Sequence, residues 1–276
     1  MIKISEILDD IIHQFSKAGI PTAKTEAEMI ISHIFKLKKF DIYLQPDHVI
    51  EDKIHDEINA LVKKRCQHYP LQYILKEIEF HHITLKITTD VLIPRPETEL
   101  LVEIIIKNMK NDYLKVLDLC TGSGAIAIAL KNAKPNWQIT ASDISEKALN
   151  IAHENAKSNN CQIDFVHSDL FSSIKQKFDL IVSNPPYISE SNYQKLDPEL
   201  FYEPSSALVA PENGIFFYRK IIENCHKFLN LPASIFLEIG QDQVEKITNF
   251  ANNCQIKNVI LKKDYNNLPR YLIINF

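Results

Sequence analysis

At 276 residues the chain is long enough for one large domain or two smaller ones. Hydrophobic residues make up 45% and charged residues 24%, and the formal net charge is −4. This composition does not read as a disordered chain, and it lacks the basic excess of a protein that grips nucleic acid by its phosphates.

The predicted elements run as follows. Ile4, Ile7, Leu8, Ile11, Ile12 and Phe15 recur at helical spacing, and Pro21 and Thr22 interrupt them. Ala27, Ile30, Ile31 and Ile34 resume the pattern, and Ile50, Ile54, Ile58, Leu61 and Val62 form a third stripe. Residues 1–75 are therefore expected to form a small helical bundle. Lys63-Lys64-Arg65, at the end of the third stripe, reads as a solvated helix end whose charge suits the macrodipole, with a substrate contact as the alternative. After Pro70 the pattern changes. Ile83, Leu85 and Ile87 alternate with Thr84, Lys86 and Thr88, so 76–93 reads as a hairpin linker. Thr98 is expected to cap an apolar helix over 100–109. From 115 on, strands are expected at 115–119, 138–142, 162–167, 178–183 and 234–238. Helices are expected at 123–132, 146–158 (capped by Ser145), 214–229 and 243–252. Two strand-like runs close the chain at 256–262 and 271–276, with too few residues between them for a crossover helix. The expected fold is α/β. A mostly parallel, Rossmann-like sheet with an antiparallel C-terminal edge pair spans 94–276, behind the helical bundle.

Five scattered cysteines without a CxxC pair signal neither a disulfide framework nor a zinc site, and the histidines are not spaced as ligands, so no metal is expected. The first turns carry Lys3, Glu6, Asp9 and Asp10, unlike a signal peptide, and no apolar run approaches roughly 18 residues. A cytoplasmic location without membrane attachment is expected.

Chemistry concentrates in the α/β region. The first strand runs into Cys120-Thr121-Gly122-Ser123-Gly124, which holds two of only five glycines. Glycine at a strand-to-helix turn lets a ligand approach the backbone at a helix N-terminus. Asp143 ends the next strand, where a carboxylate accepts both hydroxyls of a ribose. On this segment alone NAD and S-adenosylmethionine are rivals. Three features favour S-adenosylmethionine. Asp118 stands before the turn, at the amino end of a bound methionine, where it would repel a pyrophosphate. Asp169 ends the third strand, placed to accept from an adenine amino group. Asn184-Pro185-Pro186-Tyr187 ends the fourth strand on the same sheet edge. Two prolines stiffen that loop and remove two donors. A planar –NH2 group fits against the Tyr187 ring, with its hydrogens on the Asn184 side-chain oxygen and the Pro185 carbonyl.

With those residues in view, the chain resembles the class I S-adenosylmethionine-dependent methyltransferases and, within them, the HemK/PrmC family of protein-glutamine N5-methyltransferases. The resemblance rests on Pro70-Leu-Gln-Tyr-Ile74, Leu92-Ile-Pro-Arg-Pro-Glu-Thr-Glu99, Asp118 to Gly124, Asn184-Pro-Pro-Tyr187, Tyr202-Glu-Pro204, Glu238-Ile-Gly-Gln-Asp-Gln243, and Asp264 with Arg270. It implies methyl transfer to the glutamine of the Gly-Gly-Gln loop in class I peptide-chain release factors. It also implies Thr121, Leu170, Arg95, Glu97 and Thr98 as further cofactor contacts, docking of the substrate on the helical domain, and a monomer that does not act on DNA. The chain departs from the family's glycines at Lys76, His82 and Asn267, and at 209–213 before Gly214. Two other classes remain open from the residues: an adenine-N6 methyltransferase of DNA or RNA, for which no basic groove or base-recognition insert is visible, and a non-catalytic cofactor-binding subunit, which would have no use for the Asn184 loop.

Overall fold

β1 (Ile2–Lys3) leads straight into α1 (Ile4–Lys17), followed by α2 (Ala23–Phe35), α3 (Asp41–Leu44), β2 (Val49–Ile50), α4 (Asp52–Arg65) and α5 (Leu71–Leu75). The structure is a computed structural model that describes residues 2–44 and 46–276. The apolar spacing of α1 puts Ile4, Ile7, Leu8, Ile11 and Phe15 on one buried face, against Ala27, Ile30 and Ile31 of α2 and Ile58 and Val62 of α4. These helices form the first of two compact units, which ends at Lys76 and also takes in Pro198–Tyr202 from much later in the chain. The short antiparallel pairing of β1 with β2, and helices α3 and α5, were not legible in the periodicity.

Arg65 corrects the sequence reading of its cluster. Lys63 and Lys64 are exposed, but Arg65 is only 3% exposed. Its guanidinium hydrogen-bonds both oxygens of Glu26 and reaches Glu199 Oε1 at 2.7 Å. A buried guanidinium of this kind needs more than one carboxylate to offset its lost hydration.

The second unit comprises Glu77–Asp197 and Glu203–Phe276. It opens with the hairpin β3 (Glu77–Phe80) and β4 (Ile83–Lys86) and continues through α6 (Pro96–Asn108), β5 (Lys115–Leu119), α7 (Ala125–Ala133), β6 (Gln138–Asp143), α8 (Glu146–Ser158), β7 (Asp164–His167) and β8 (Phe178–Ser183). α9 (Glu190–Tyr193), α10 (Ser205–Leu208), α11 (Phe216–Asn224), β9 (Leu229–Glu238), α12 (Val244–Asn253), β10 (Val259–Lys263) and β11 (Pro269–Asn275) complete it. Seven strands form one sheet in the order β10-β11-β9-β8-β5-β6-β7. The pairs from β9 to β7 are parallel, and β11 is antiparallel to both β9 and β10. This is the class I methyltransferase sheet with its antiparallel edge pair. The strand order reverses at β5, which lies between β6 and β8, so the carboxyl edge there is the switch point where open α/β sheets bind ligands.

Several boundaries differ from expectation. α6 starts at Pro96, with Arg95 at its cap, so Thr98 lies inside the first turn and does not cap the helix. Proline at that first position has no N–H to leave unpaired. The expected helix 214–229 ends at Asn224, and β9 begins at Leu229, because buried Leu229 pairs with Phe178 of the neighbouring strand. Ser145 caps α8, accepting from Ala148 N at 3.2 Å. The family's glycine positions Lys76, His82 and Asn267 all have left-handed backbone, with φ of 63°, 65° and 62°. No helix among the described residues is long and apolar enough to cross a membrane.

Candidate active site

β5 delivers the chain to the glycine turn with Cys120, Gly122 and Gly124 at φ of 60°, 56° and 82°. A Cβ on Gly124 would lie 2.9 Å from Ile128 Cδ1 and 3.2 Å from Ala152 Cβ, so glycine there lets α7 seat against α8. A Cβ on Gly122 would meet nothing within 4 Å. Gly122 therefore faces open space, and the turn leaves room for a ligand at the start of α7. Asp143, at the end of β6, accepts from Gly122 N and Ser145 N, one on each oxygen, both at 2.9 Å. Burial raises its pKa, and those N–H groups pull it back. Each oxygen keeps a lone pair for a hydroxyl.

These residues line a cleft within the second unit. Thr121, Gly122 and Asp143 line it together with Asp90, Val91 and Leu92 and with Thr98, Asn184 and Pro186, whereas Pro185 and Tyr187 are not among the lining residues. Other expected contacts lie elsewhere. Asp118 does not line the cleft. It is fully buried beneath the turn, where its Oδ2 accepts from Thr121 Oγ1 at 2.6 Å and its Oδ1 has no partner. Burial pushes its pKa up to about 7. Asp169 is exposed after β7, and Leu170 is half-buried at φ 46°. Neither borders the cleft. Arg95 and Glu97 also stand outside the lining. Arg95 pairs with Glu203, whose other oxygen accepts from Ile93 N at 3.0 Å. The Glu97 carbonyl accepts from Tyr271 OH at 2.7 Å.

The Asn184 loop is fixed from several sides. Ser183 Oγ, just before it, donates to Leu119 O of β5 at 2.7 Å. The Tyr187 carbonyl accepts from Gln243 Nε2 at 2.6 Å. Gly214, at φ 89°, allows this approach: a Cβ there would lie 2.2 Å from the Tyr187 oxygen and 2.1 Å from Gln243 Nε2. Burial, with Glu238 nearby, pushes the Tyr187 hydroxyl up to about 12, so the ring stays neutral. Asn184 Nδ2 donates to Thr98 Oγ1 at 3.1 Å, and Thr98 Oγ1 donates to Glu238 Oε2 at 2.7 Å. Among the described residues no donor is paired with Asn184 Oδ1. The glycine-poor segment before Gly214 holds left-handed Glu212 and Asn213, at φ of 56° and 54°. Glu212 is anchored there by a two-pronged hydrogen bond from Arg219 at 2.7 and 2.9 Å.

Reading the sequence missed the parts played by Glu238, Gln243 and Glu203. A charged residue closing the apolar run 234–238 was the available signal, since a carboxylate at a buried strand end needs a partner.

Comparison with known proteins identifies the family. Residues 6–75 match the PrmC N-terminal domain and residues 96–217 the Methyltransferase small domain. A release factor glutamine methyltransferase of Thermodesulfovibrio yellowstonii is 41% identical over 90% of this chain and 91% of its own length. A release factor glutamine methyltransferase of Coxiella burnetii is 35% identical over 99% of both chains. A solved methyltransferase structure from Pyrococcus furiosus superposes with a TM-score of 0.53 at 18% identity, over 69% of this chain and 87% of that one, and shares the fold.

Proposed function

The chain belongs to the release factor glutamine methyltransferases, and on that premise we propose that it methylates the side-chain nitrogen, N5, of the glutamine in the Gly-Gly-Gln loop of class I peptide-chain release factors. The methyl donor is S-adenosylmethionine, which when bound supplies an electrophilic methyl group. The residues present fit it. Gly122 leaves open space where a Cβ would stand, α7 presents its N-terminus, and Asp143 retains acceptor capacity for ribose hydroxyls. The unpartnered Asp118 Oδ1 beneath the turn is an acceptor, which suits a ligand bearing donors better than a dinucleotide pyrophosphate.

One observation carries the proposal: the free Oδ1 of Asn184, a residue that lines the cleft, with its own amide nitrogen already committed to Thr98. An amide nitrogen is a poor nucleophile because its lone pair is delocalised into the carbonyl. An acceptor on its N–H holds it in line with the incoming carbon and favours the positive charge that develops on nitrogen. Asn184 Oδ1 and the Pro185 carbonyl supply two such acceptors. Gln243 holds the Tyr187 backbone carbonyl, and the Tyr187 ring offers a flat face for the planar group. The helical unit contributes further binding area for the protein substrate, since one glutamine side chain buries little surface.

The test is mass spectrometry after incubation with isotope-labelled S-adenosylmethionine. Labelling is expected on release factor and not on a release factor whose Gly-Gly-Gln glutamine is replaced by alanine, on DNA or on transfer RNA. Asn184→Ala should lower turnover on the order of a hundredfold while cofactor affinity changes little. Equal transfer to nucleic acid would favour the adenine-N6 reading instead.

A further inference from the structure

We propose that Thr98 and Glu238 are positioning residues that set which face of the Asn184 amide meets the substrate, through a directed relay from Asn184 to Thr98 to Glu238. The inference rests on the function proposed above and deepens it.

The relay has a fixed sense. Glu238 is 1% exposed at the end of β9, Thr98 is 4% exposed in the first turn of α6, and Asn184 follows β8. A carboxylate only accepts, so the 2.7 Å contact with Thr98 must use the threonine's single proton. Thr98 Oγ1 then has only lone pairs left, and its 3.1 Å neighbour on Asn184 must be the NH2 end of the amide. The Asn184 oxygen is thereby turned away from Thr98, and Asn184 is one of the residues that line the cleft. A flipped amide would present a donor to the substrate N–H and set two oxygens against each other at Thr98. These three residues are joined only through tertiary contact, and neither Thr98 nor Glu238 needs to touch the reacting atoms to act in this way.

The relay also carries a protonation condition. Burial pushes Glu238 up to about 7, opposed by the Thr98 hydroxyl, the Arg270 guanidinium and the Asn184 amide, while Glu97 adds to the upward push. Tyr187, Tyr218 and Tyr271 also face this carboxyl, and all three are held above their usual range by burial, so none titrates near neutrality. Once protonated, Glu238 becomes a donor to Thr98. The threonine proton is then released toward Asn184, and the amide oxygen is the atom it attracts. Turnover should therefore need ionised Glu238 and fall as pH drops through about 7.

The test uses the full chain with Thr98→Val, Thr98→Ser and Glu238→Gln. Calorimetric titration with S-adenosylhomocysteine serves as the folding and binding control. In Thr98→Val, kcat should fall at least about tenfold and by more than cofactor Kd rises, and Thr98→Ser should recover most of the loss. The acidic limb of the kcat profile near pH 7 should be present in the wild type and absent in Glu238→Gln. Without any substrate, one Asn184 side-chain N–H should exchange slowly with solvent in the wild type and Thr98→Ser, and rapidly in Thr98→Val. Wild-type kcat in Thr98→Val, an acidic limb that persists in Glu238→Gln, or slow Asn184 exchange that survives Thr98→Val would each overturn the relay. The exchange measurement is independent of substrate identity. Failure to methylate release factor would therefore count against the proposed function, while the relay would still stand or fall on Asn184 exchange. If Thr98→Val does not fold, the Glu238→Gln profile decides.

Discussion

Replacing Gly214 by alanine should damage the Asn184 loop without touching the glycine turn at 122–124. The new methyl group would stand 2.1 Å from Gln243 Nε2 and 2.2 Å from the Tyr187 carbonyl oxygen. Either Gln243 swings away or the Tyr187 backbone retreats, and both break the 2.6 Å hydrogen bond between them. Stranding a part-buried carbonyl costs roughly 1–3 kcal/mol. The backbone at φ 89° adds strain of roughly 1–2 kcal/mol for a residue with a Cβ. A total of roughly 2–5 kcal/mol should lower Tm on the order of 10 °C in a chain of this size. Gly122→Ala is the internal control. It carries the same kind of strain at φ 56°, but nothing stands within 4 Å of the added atom. Its stability loss should stay at roughly 1–2 kcal/mol, and the effect should fall on cofactor affinity because the methyl faces the cleft. Scanning calorimetry with steady-state kinetics separates the two. Gly214→Ala should lose kcat and Tm together, and Gly122→Ala mainly cofactor binding. A Gly214→Ala protein as stable as the Gly122→Ala control, with wild-type kcat, would show that the contact between Gly214, Tyr187 and Gln243 does not hold the loop.

Arg65→Ala leaves Glu26 buried without its main partner, and denaturant unfolding should show a loss of roughly 3–5 kcal/mol from the first unit. Lys76→Gly, His82→Gly and Asn267→Gly each relieve left-handed backbone, and each should raise stability by about 0.5–1 kcal/mol in thermal melts. Glu238 has a raised folded-state pKa, so its contribution to stability is full below the usual carboxylate range and is lost as pH rises through about 7. Glu238→Gln should therefore be more stable than the wild type at pH 8 by on the order of 2–3 kcal/mol, an advantage that vanishes near pH 4. Asp118 titrates in the same window and direction, and comparing the two proteins at each pH removes its contribution. Asp143→Ala should weaken S-adenosylmethionine by at least about thirtyfold in calorimetry, since two carboxylate hydrogen bonds disappear together.

The sequence by itself determined what depends on neighbours along the chain. The 3.6-residue spacing of Ile4, Ile7, Leu8, Ile11 and Phe15 defined α1 and its buried face, and the run 178–183 ending in two prolines defined β8 and a stiff loop. Glycines at 122 and 124, with an acid at 143, marked a candidate ligand edge, and the structure brings Asp143 to accept from the Gly122 N–H beside the cleft. The tertiary structure alone decided what depends on partners far apart in the chain. Arg65 read as a solvated helix end because its second carboxylate, Glu199, lies 134 positions away and returns to the helical unit by an excursion of five residues. Leu229 joined a strand instead of a helix because Phe178 stood opposite it. Thr98 read as a helix cap, yet its hydroxyl serves Glu238, 140 positions away. Local pattern fixes secondary structure because it acts through adjacent backbone. The direction of a hydroxyl proton or the face of an amide is chosen by whichever group burial brings within about 3 Å, and only the folded chain supplies that group.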